Sequence, residues 1–397
     1  MRLSKLLEGL EGEWTKNVGE VEITSIVMDS RKEVSGGLFV CLTGTNTDGH
    51  DYAQEAVAKG AIALLTERCL PLDVPQFVVK DTREALGRIA SVFYGEPSTR
   101  LKVVGITGTN GKTTTAHMLA EIWRSAGKKV GVIGTLGITY GEKRLAAELT
   151  TPDPLVLQER LAEMLSCGVE FVVMEVSAHA LYYKKTEGVR FCACIFTNLT
   201  QDHLDFFDTM PAYKRAKMRL FTPSACPFAV VNADDDMGRE IAAMRLNEGA
   251  KTLFYGLNNP ADCFAIITDE TLHATECMLN ISDKLCRVKI PMTGVHNVYN
   301  AMAAATCAME TEVDVGAVAA GLTALKVVPG RLEKVASHCG AEVYVDFAHT
   351  PDGLAKSLSA LKKYCKGRLI CLFGCGGNRD KRPRCHTSRW YRRWRRS

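Results

Sequence analysis

Val103-Val104-Gly105-Ile106-Thr107-Gly108-Thr109-Asn110-Gly111-Lys112-Thr113-Thr114-Thr115 reads as a buried strand, a glycine-rich turn and a helix opening on hydroxyl residues. Glycines let the backbone turn tightly and aim its N–H groups inward, and the helix N-terminus adds partial positive charge where a phosphate would sit. Lys112 can reach outer phosphates, and a hydroxyl of Thr113 or Thr114 can ligate Mg2+. The loop is G-x-x-G-K-T, because Ile106 stands where the longer G-x-x-x-x-G-K-[ST] spacing asks for glycine. A chance glycine-rich turn is the alternative. The apolar strand before it and a helix over 116–126, closed by Gly127, favour phosphate binding.

Around this stretch, residues 100–328 alternate strands and helices. The pattern predicts strands at 130–133, 171–176 and 193–197 and a helix at 154–166, so a largely parallel sheet. Short runs between 252 and 290 predict an antiparallel appendage, and helices follow near 296–309 and 315–325. Ahead of this core, residues 1–99 form a first unit with strands at 23–28, 37–42 and 61–65 and a helix at 52–59. Beyond it, 328–331 is a linker to a third unit at 329–397: a strand at 343–346, a helix at 351–364, a strand at 369–373 and a glycine loop at 374–377. One β-α-β unit leaves most of its sheet unpaired, so this third domain is expected to be incomplete.

Composition excludes several classes. The first residues lack the apolar run of a signal peptide, and no stretch approaches the ~18 apolar residues of a membrane span. The 15 cysteines lie scattered among apolar residues, as in Phe191-Cys192-Ala193-Cys194-Ile195, which fits reduced, buried thiols of a cytoplasmic protein rather than disulfides or zinc sites. The net charge of +4 misleads: residues 381–397 carry eight Lys or Arg and no acid, so the remainder is four negative. Nothing else asks for a nucleic-acid partner.

Three further places carry chemistry. Strand 171–174 delivers Glu175 at its C-terminal end, the edge where parallel sheets bind ligands, with Ser177 and His179 beyond. Strand 195–197 leads to Asn198, then Asp202, His203 and Asp205, groups suited to metal coordination or substrate orientation. Each alone also reads as a solvated strand end; two strand ends aimed at one phosphate loop argue for function. Lys217 sits on a helix starting near Pro211, with Tyr213, Leu220 and Phe221 as its i−4, i+3 and i+4 neighbours. A lysine on an apolar stripe either snorkels or has a purpose.

Taken in order, Gly108–Thr114, Met174-Glu175-Val176-Ser177-Ala178-His179, 197–205, Gly294-Val295-His296-Asn297-Val298-Tyr299-Asn300, Pro329-Gly330-Arg331-Leu332-Glu333 and Asp346-Phe347-Ala348-His349-Thr350-Pro351-Asp352 resemble the Mur ligases over roughly residues 20–382. Thr150-Thr151-Pro152 and Glu175-Val176-Ser177 resemble the MurE branch, which adds the third residue of the peptidoglycan stem peptide. The resemblance implies an α/β, three-domain architecture with a parallel-sheet P-loop ATPase core. It implies an acid–amino-acid ligase that uses ATP and Mg2+ to activate UDP-N-acetylmuramoyl-L-Ala-D-Glu as an acyl phosphate for an incoming amino acid. Diaminopimelate is favoured over L-lysine only by its wider use in the family. By carry-over, Ser30, Thr45, Asn46 and Thr47 would meet the UDP moiety, and Thr150, Thr151, Ser177 and Lys185 the muramoyl-peptide. Lys112 would hold phosphate, with Gly108, Thr109, Asn110, Gly111, Thr113 and Thr114 around it. Thr114, Glu175, His203 and a carbamylated Lys217 would hold metal. Asn297 and Asn300 would approach adenine, with Arg331 and Asp346 nearer ribose or phosphate. A cytoplasmic monomer is expected.

Two departures stand out. Lys185 occupies the position of a family arginine that grips a substrate carboxylate, and lysine lacks the bidentate fork. From residue 384 the sequence turns basic and aromatic, with two of the four tryptophans. A tail that binds nucleic acid or anionic membrane is one reading; a shifted reading frame is preferred, and with it a truncated chain that binds substrates but does not ligate. Competing functions are a folylpolyglutamate-synthase-like ligase, which shares the ATP core, and a non-catalytic nucleotide-binding fragment.

Overall fold

The structure, a computed structural model, describes residues 1–16, 21–44, 47–338 and 340–374. By contacts the chain divides into two compact units. The first comprises Met1–Leu101, Pro152–Cys167 and Tyr182–Arg190; the second comprises Lys102–Thr151, Gly168–Leu181 and the described residues from Phe191 on.

The first unit is a five-stranded sheet in the order β1-β5-β4-β3-β2, with β1 at Gly12–Trp14, β2 at Ile26–Val27, β3 at Gly37–Val40, β4 at Ala61–Thr66 and β5 at Gln76–Val79. β2 to β5 run parallel and β1 is antiparallel to β5. Leu38, Phe39 and Val40 are all buried, as a strand covered on both faces requires. The strand expected at 23–28 is shorter because Asp29 turns the chain: its carboxylate accepts from the Arg31 backbone N–H at 3.0 Å. The helix expected at 52–59 spans Ala53–Ala58, after a 3-10 turn, Gly49–Tyr52, capped by Asp48. β1, β5 and the helix Thr82–Phe93 were not expected. Asp81 caps that helix, accepting from the N–H groups of Arg83 and Glu84 at 3.0 Å each.

The second unit is an eleven-stranded sheet in the order β16-β15-β14-β13-β12-β11-β6-β10-β7-β8-β9. Its strands are β6 Lys102–Thr107, β7 Val130–Gly134, β8 Gly137–Tyr140, β9 Lys143–Leu145, β10 Phe171–Glu175, β11 Phe191–Phe196, β12 Phe228–Asn232, β13 Lys251–Tyr255, β14 Cys263–Glu270, β15 Thr275–Ile281 and β16 Lys284–Ile290. β14 through β7 pair in parallel, with β6 between β11 and β10. The expected appendage is an antiparallel meander, β14 to β16, that continues the same sheet. β6 is buried from Val103 to Thr107, so the loop that follows it starts from a rigid base.

The helix after that loop, Lys112–Ser125, packs against Val295–Glu310 and Val315–Ala324. Trp123 is fully buried there, and its indole N–H donates to Thr311 Oγ1 at 2.9 Å. Trp123→Ala is expected to destabilise this unit by ~3–5 kcal/mol, since a large cavity remains. Urea unfolding followed by far-UV circular dichroism measures it. A loss below ~1 kcal/mol would contradict this packing role.

The region after residue 328 corrects the β-α-β expectation. β17, Glu333–His338, and β18, Ala341–Val345, form an antiparallel hairpin, and the helix spans Pro351–Lys362. Residues 369–373 form no strand. Their apolar pattern favours extension, but a strand needs a paired ladder, and Ile370 and Leu372 are 78% and 99% exposed. Residues 375–397, on which the rest of the glycine loop, the basic tail and the shifted-frame expectation rest, lie outside the described residues.

Candidate active site

The phosphate loop runs from the end of β6 to the helix at Lys112. Gly108 and Gly111 take φ of +153° and +90°. A side chain at Gly108 would strike the Thr197 hydroxyl, and one at Gly111 the Asn300 amide. The chain after β11 staples the loop. Thr109 N–H donates to the Asn198 carbonyl at 2.8 Å, Asn110 N–H to the Asn198 side chain at 3.0 Å, and the Thr197 hydroxyl to the Asn110 carbonyl at 2.6 Å. From behind, Asn300 accepts from the Thr115 hydroxyl and donates to Asn297, whose amide donates to the Thr293 carbonyl. Asn297 and Asn300 therefore line the cavity while bonded to one another.

Two ammonium groups meet at the loop. Lys112 Nζ donates to the carbonyls of Gly108 and Thr109 at 2.9 and 3.0 Å, and Lys217 Nζ to the Gly108 carbonyl at 2.8 Å. Lys217 does not snorkel. It is 1% exposed and lies 4.6 Å from the centre of the Tyr213 ring. Burial, reinforced by the nearby charge of Lys112, pushes its pKa well below the usual lysine range. Tyr213 in turn lies 3.3 Å from the Thr109 hydroxyl.

Glu175, at the end of β10, accepts from the Thr113 hydroxyl at 3.0 Å and from the backbone N–H and hydroxyl of Thr135 at 2.9 and 3.0 Å. Thr150 Oγ1 lies 3.2 Å from the Thr135 hydroxyl, and Thr151 Oγ1 donates to the Glu175 carbonyl and accepts from Ser177 N–H. The structure thus gathers Thr113, Glu175, Thr150, Thr151 and Ser177. Thr135 went unnoticed in the sequence, where a lone threonine after a glycine carries no signal. Thr114 is buried on the cavity wall, and it is Thr113 whose hydroxyl meets Glu175. His203 has other partners among the described residues. It has φ +54°, lies 3.3 Å from Asp202, and stacks edge-on with His179 at 4.7 Å. Burial lowers its pKa to about 4, keeping the imidazole neutral.

Among the described residues, no three His, Cys, Asp or Glu side chains gather as a ready metal cage. Thr113 and Glu175 are hard oxygen donors beside a phosphate loop. That fits Mg2+, which is held by one or two protein oxygens together with phosphates and water.

Arg331 reaches the same place from the linker. One terminal N–H donates to Thr113 Oγ1 at 2.8 Å, and its buried Nε has no partner among the described residues. An orphaned guanidinium N–H next to the loop suits a phosphate oxygen. Asp346 lines the cavity and accepts from Leu332 N–H, Ala348 N–H and the Ser357 hydroxyl, which also shapes the linker turn. Asn110 donates to Asp352 at 3.1 Å. A cavity of about 690 Å3 opens between these groups and the Asn297–Asn300 helix. Asp234 forms part of its wall, accepting from Tyr299 at 2.7 Å and from the N–H groups of 257–259. The polar run 232–235 at the end of β12 was the signal that could have found it.

The first unit has its own cavity, about 730 Å3, lined by Ser30, Thr47, Arg83, Asp153, Tyr183 and Lys185 among others. Ser30 donates to Glu55 at 3.2 Å, and Lys185 pairs with Asp153 at 2.7 Å. Thr45 and Asn46 lie outside the described residues.

A glycine loop on a parallel sheet, with a lysine inside it and a cavity of that size beside it, defines a P-loop nucleotide-binding α/β protein. Three sequence families match the chain: Mur ligase family, catalytic domain, at residues 22–94; Mur ligase middle domain, at 106–308; and Mur ligase, glutamate ligase domain, at 330–394. The chain belongs to the Mur ligase family. It is 39% identical over 391 residues to the UDP-N-acetylmuramoyl-L-alanyl-D-glutamate--2,6-diaminopimelate ligase of Geobacillus thermodenitrificans, covering 97% of this chain and 79% of that protein. It is 40% identical to such a ligase of Clostridium acetobutylicum over 97% of this chain and 80% of that one. A solved structure of a ligase with that name superposes with a TM-score of 0.81 at 29% identity, covering 98% of this chain and 80% of the other. The folylpolyglutamate synthase of Mycobacterium tuberculosis shares only the fold, with a TM-score of 0.59 at 19% identity over 71% of this chain and 70% of that one. No helix among the described residues is long and apolar enough to cross a membrane.

Proposed function

We propose that this chain is a ligase of peptidoglycan precursor synthesis that joins diaminopimelate to UDP-N-acetylmuramoyl-L-Ala-D-Glu at the cost of ATP, in the cytoplasm where both nucleotides are found. The observation that carries this reading is the convergence of Lys112, Lys217, Thr113, Glu175 and Arg331 on one phosphate loop, with Thr150, Thr151 and Ser177 packed around Glu175. The names of relatives at about 40% identity support the choice of amino acid. We divide the work as 1–99 for the UDP substrate, 100–328 for ATP and 329–397 for ligation, in line with the three matched families.

The chemistry follows from the substrates. A carboxylate is a poor acyl donor, so its oxygen first attacks the γ-phosphorus of ATP, the bond to ADP breaks, and an acyl phosphate forms. The amine of the amino acid then attacks the acyl carbon, the carbon–oxygen bond to phosphate breaks, and the amine gives up a proton as the amide forms. Lys112 turns from its carbonyl partners to the β- and γ-phosphates, and Arg331 offers its orphaned N–H to the transferring group, neutralising charge as it develops. Ser30 and Thr47 hold the UDP end; Thr150, Thr151, Ser177 and Lys185 hold the peptide end. Thr113 or Thr114 and Glu175, with His203 and a carbamylated Lys217, would hold Mg2+, which would supply neutralisation of phosphate charge. Burial and the charge of Lys112 favour the neutral amine of Lys217, the form that adds CO2; the resulting carbamate, formed with loss of a proton, would be an anion in place of a cation.

The test is phosphate release and product mass with ATP, the UDP-muramoyl-dipeptide and either diaminopimelate or L-lysine. Release that requires the dipeptide nucleotide, and a product heavier by diaminopimelate, is expected. A lysine product overturns the amino-acid assignment, and release driven by a folate overturns the class.

A further inference from the structure

The cavity of the first unit carries cationic side chains beyond the one that the resemblance assigned. Four cationic side chains line it: Arg31, Lys32, Arg83 and Lys185. Asp29 engages Arg31 through two bonds of 2.8 Å, and Asp153 engages Lys185. Lys32 is exposed on a flexible stem. Arg83 is held differently. One terminal N–H donates to the Thr43 carbonyl at 2.7 Å, and the guanidinium lies 4.6 Å from the centre of the Tyr183 ring. No carboxylate of the described residues pairs with it.

The platform is anchored from below. Lys184, at φ +53°, places its ammonium 2.8 Å from both Asp81 and Glu84, on and beside the cap of the helix that carries Arg83. That anchor delivers Tyr183 to the Arg83 guanidinium and sends Lys185 to the cavity. A guanidinium stacked on one face and pinned by one N–H keeps a planar fork of unused donors, already ordered and weakly hydrated. Lysine at 185 cannot supply such a fork.

We propose that Arg83, stacked on Tyr183, binds an oxyanion of the UDP-linked substrate in this cavity: its diphosphate or its stem-peptide carboxylate. The proposal rests on the UDP-muramoyl reading above. The test is calorimetry on the full chain with UDP and with UDP-N-acetylmuramoyl-L-Ala-D-Glu, for the unmodified chain and for Arg83→Gln, Arg83→Lys, Tyr183→Phe and Tyr183→Leu. Arg83→Gln should weaken the full substrate by ~10-fold or more, the range for hydrogen bonds to charged groups. Arg83→Lys should restore little, and Tyr183→Leu, which removes the ring, should lose several-fold more than Tyr183→Phe, which keeps it. An equal loss toward UDP assigns the diphosphate; a loss confined to the full substrate assigns the carboxylate. Arg83→Gln within ~2-fold of the unmodified chain for both ligands, with unchanged circular dichroism, overturns the proposal alone. An unmodified chain that binds neither ligand overturns the substrate reading and the proposal with it.

Discussion

Lys112→Ala is expected to lower MgATP affinity by ~10–100-fold in calorimetry while leaving the circular dichroism spectrum unchanged. Lys112 spends its charge on the carbonyls of Gly108 and Thr109. Those weak partners are exchanged for phosphate oxygens at little conformational cost, because the loop is stapled by Thr197 and Asn198 rather than by the lysine. Phosphate release should fall further, by ~10³-fold, since the same charge stabilises the transferring group. Affinity within ~2-fold of the unmodified chain would mean that phosphates bind elsewhere.

Lys217→Ala and Lys217→Arg should both abolish uptake of labelled CO2, and both should cut phosphate release by ~10²–10³-fold, the scale of losing one preorganised charge. The reason lies in the burial. Burial beside Lys112 pushes the pKa of Lys217 well below the usual lysine range, and the neutral amine is the form that attacks CO2, losing a proton as the carbamate forms. A carbamate signal in carbon NMR from labelled bicarbonate, present in the unmodified chain and absent in both variants, is the direct readout. Short carboxylic acids should partly restore Lys217→Ala. Arginine keeps the cation, so full retention of activity in Lys217→Arg would mean that the position needs only positive charge. An unmodified chain with no carbamate signal would end the idea.

What the sequence made legible was local. The phosphate loop could be read because its demands fall on adjacent residues: φ values that favour glycine at 108 and 111, a lysine, then hydroxyls opening a helix. The helix at Pro154–Ser166 was found at its bounds because proline begins it and glycine follows it. Lys217 stood out because a charge on an apolar stripe breaks the pattern. What stayed hidden depends on partners far along the chain. Whether residues 369–373 become a strand depends on a neighbouring ladder, not on their own propensity. The Glu175 cluster draws on Thr135 and Thr151, which the chain places together only through β7, β10 and their loops. Arg83 carried no signal in the sequence: the helix that it opens was not expected, and Tyr183, 100 residues on, meets it only in the fold. His203 and Glu175 were read as partners at one loop; among the described residues Glu175 bonds to Thr113 and Thr135, and His203 lies against Asp202 and His179.

The claim on which the rest depends is that this chain takes a UDP-muramoyl-dipeptide as its substrate. Isothermal titration of the unmodified chain with UDP-N-acetylmuramoyl-L-Ala-D-Glu, alongside a folate of matched charge, tests it most directly. Saturable one-site binding of the UDP compound, weakened in Arg83→Gln, with no heat from the folate, is the predicted result. Binding of the folate with none of the UDP compound would contradict it.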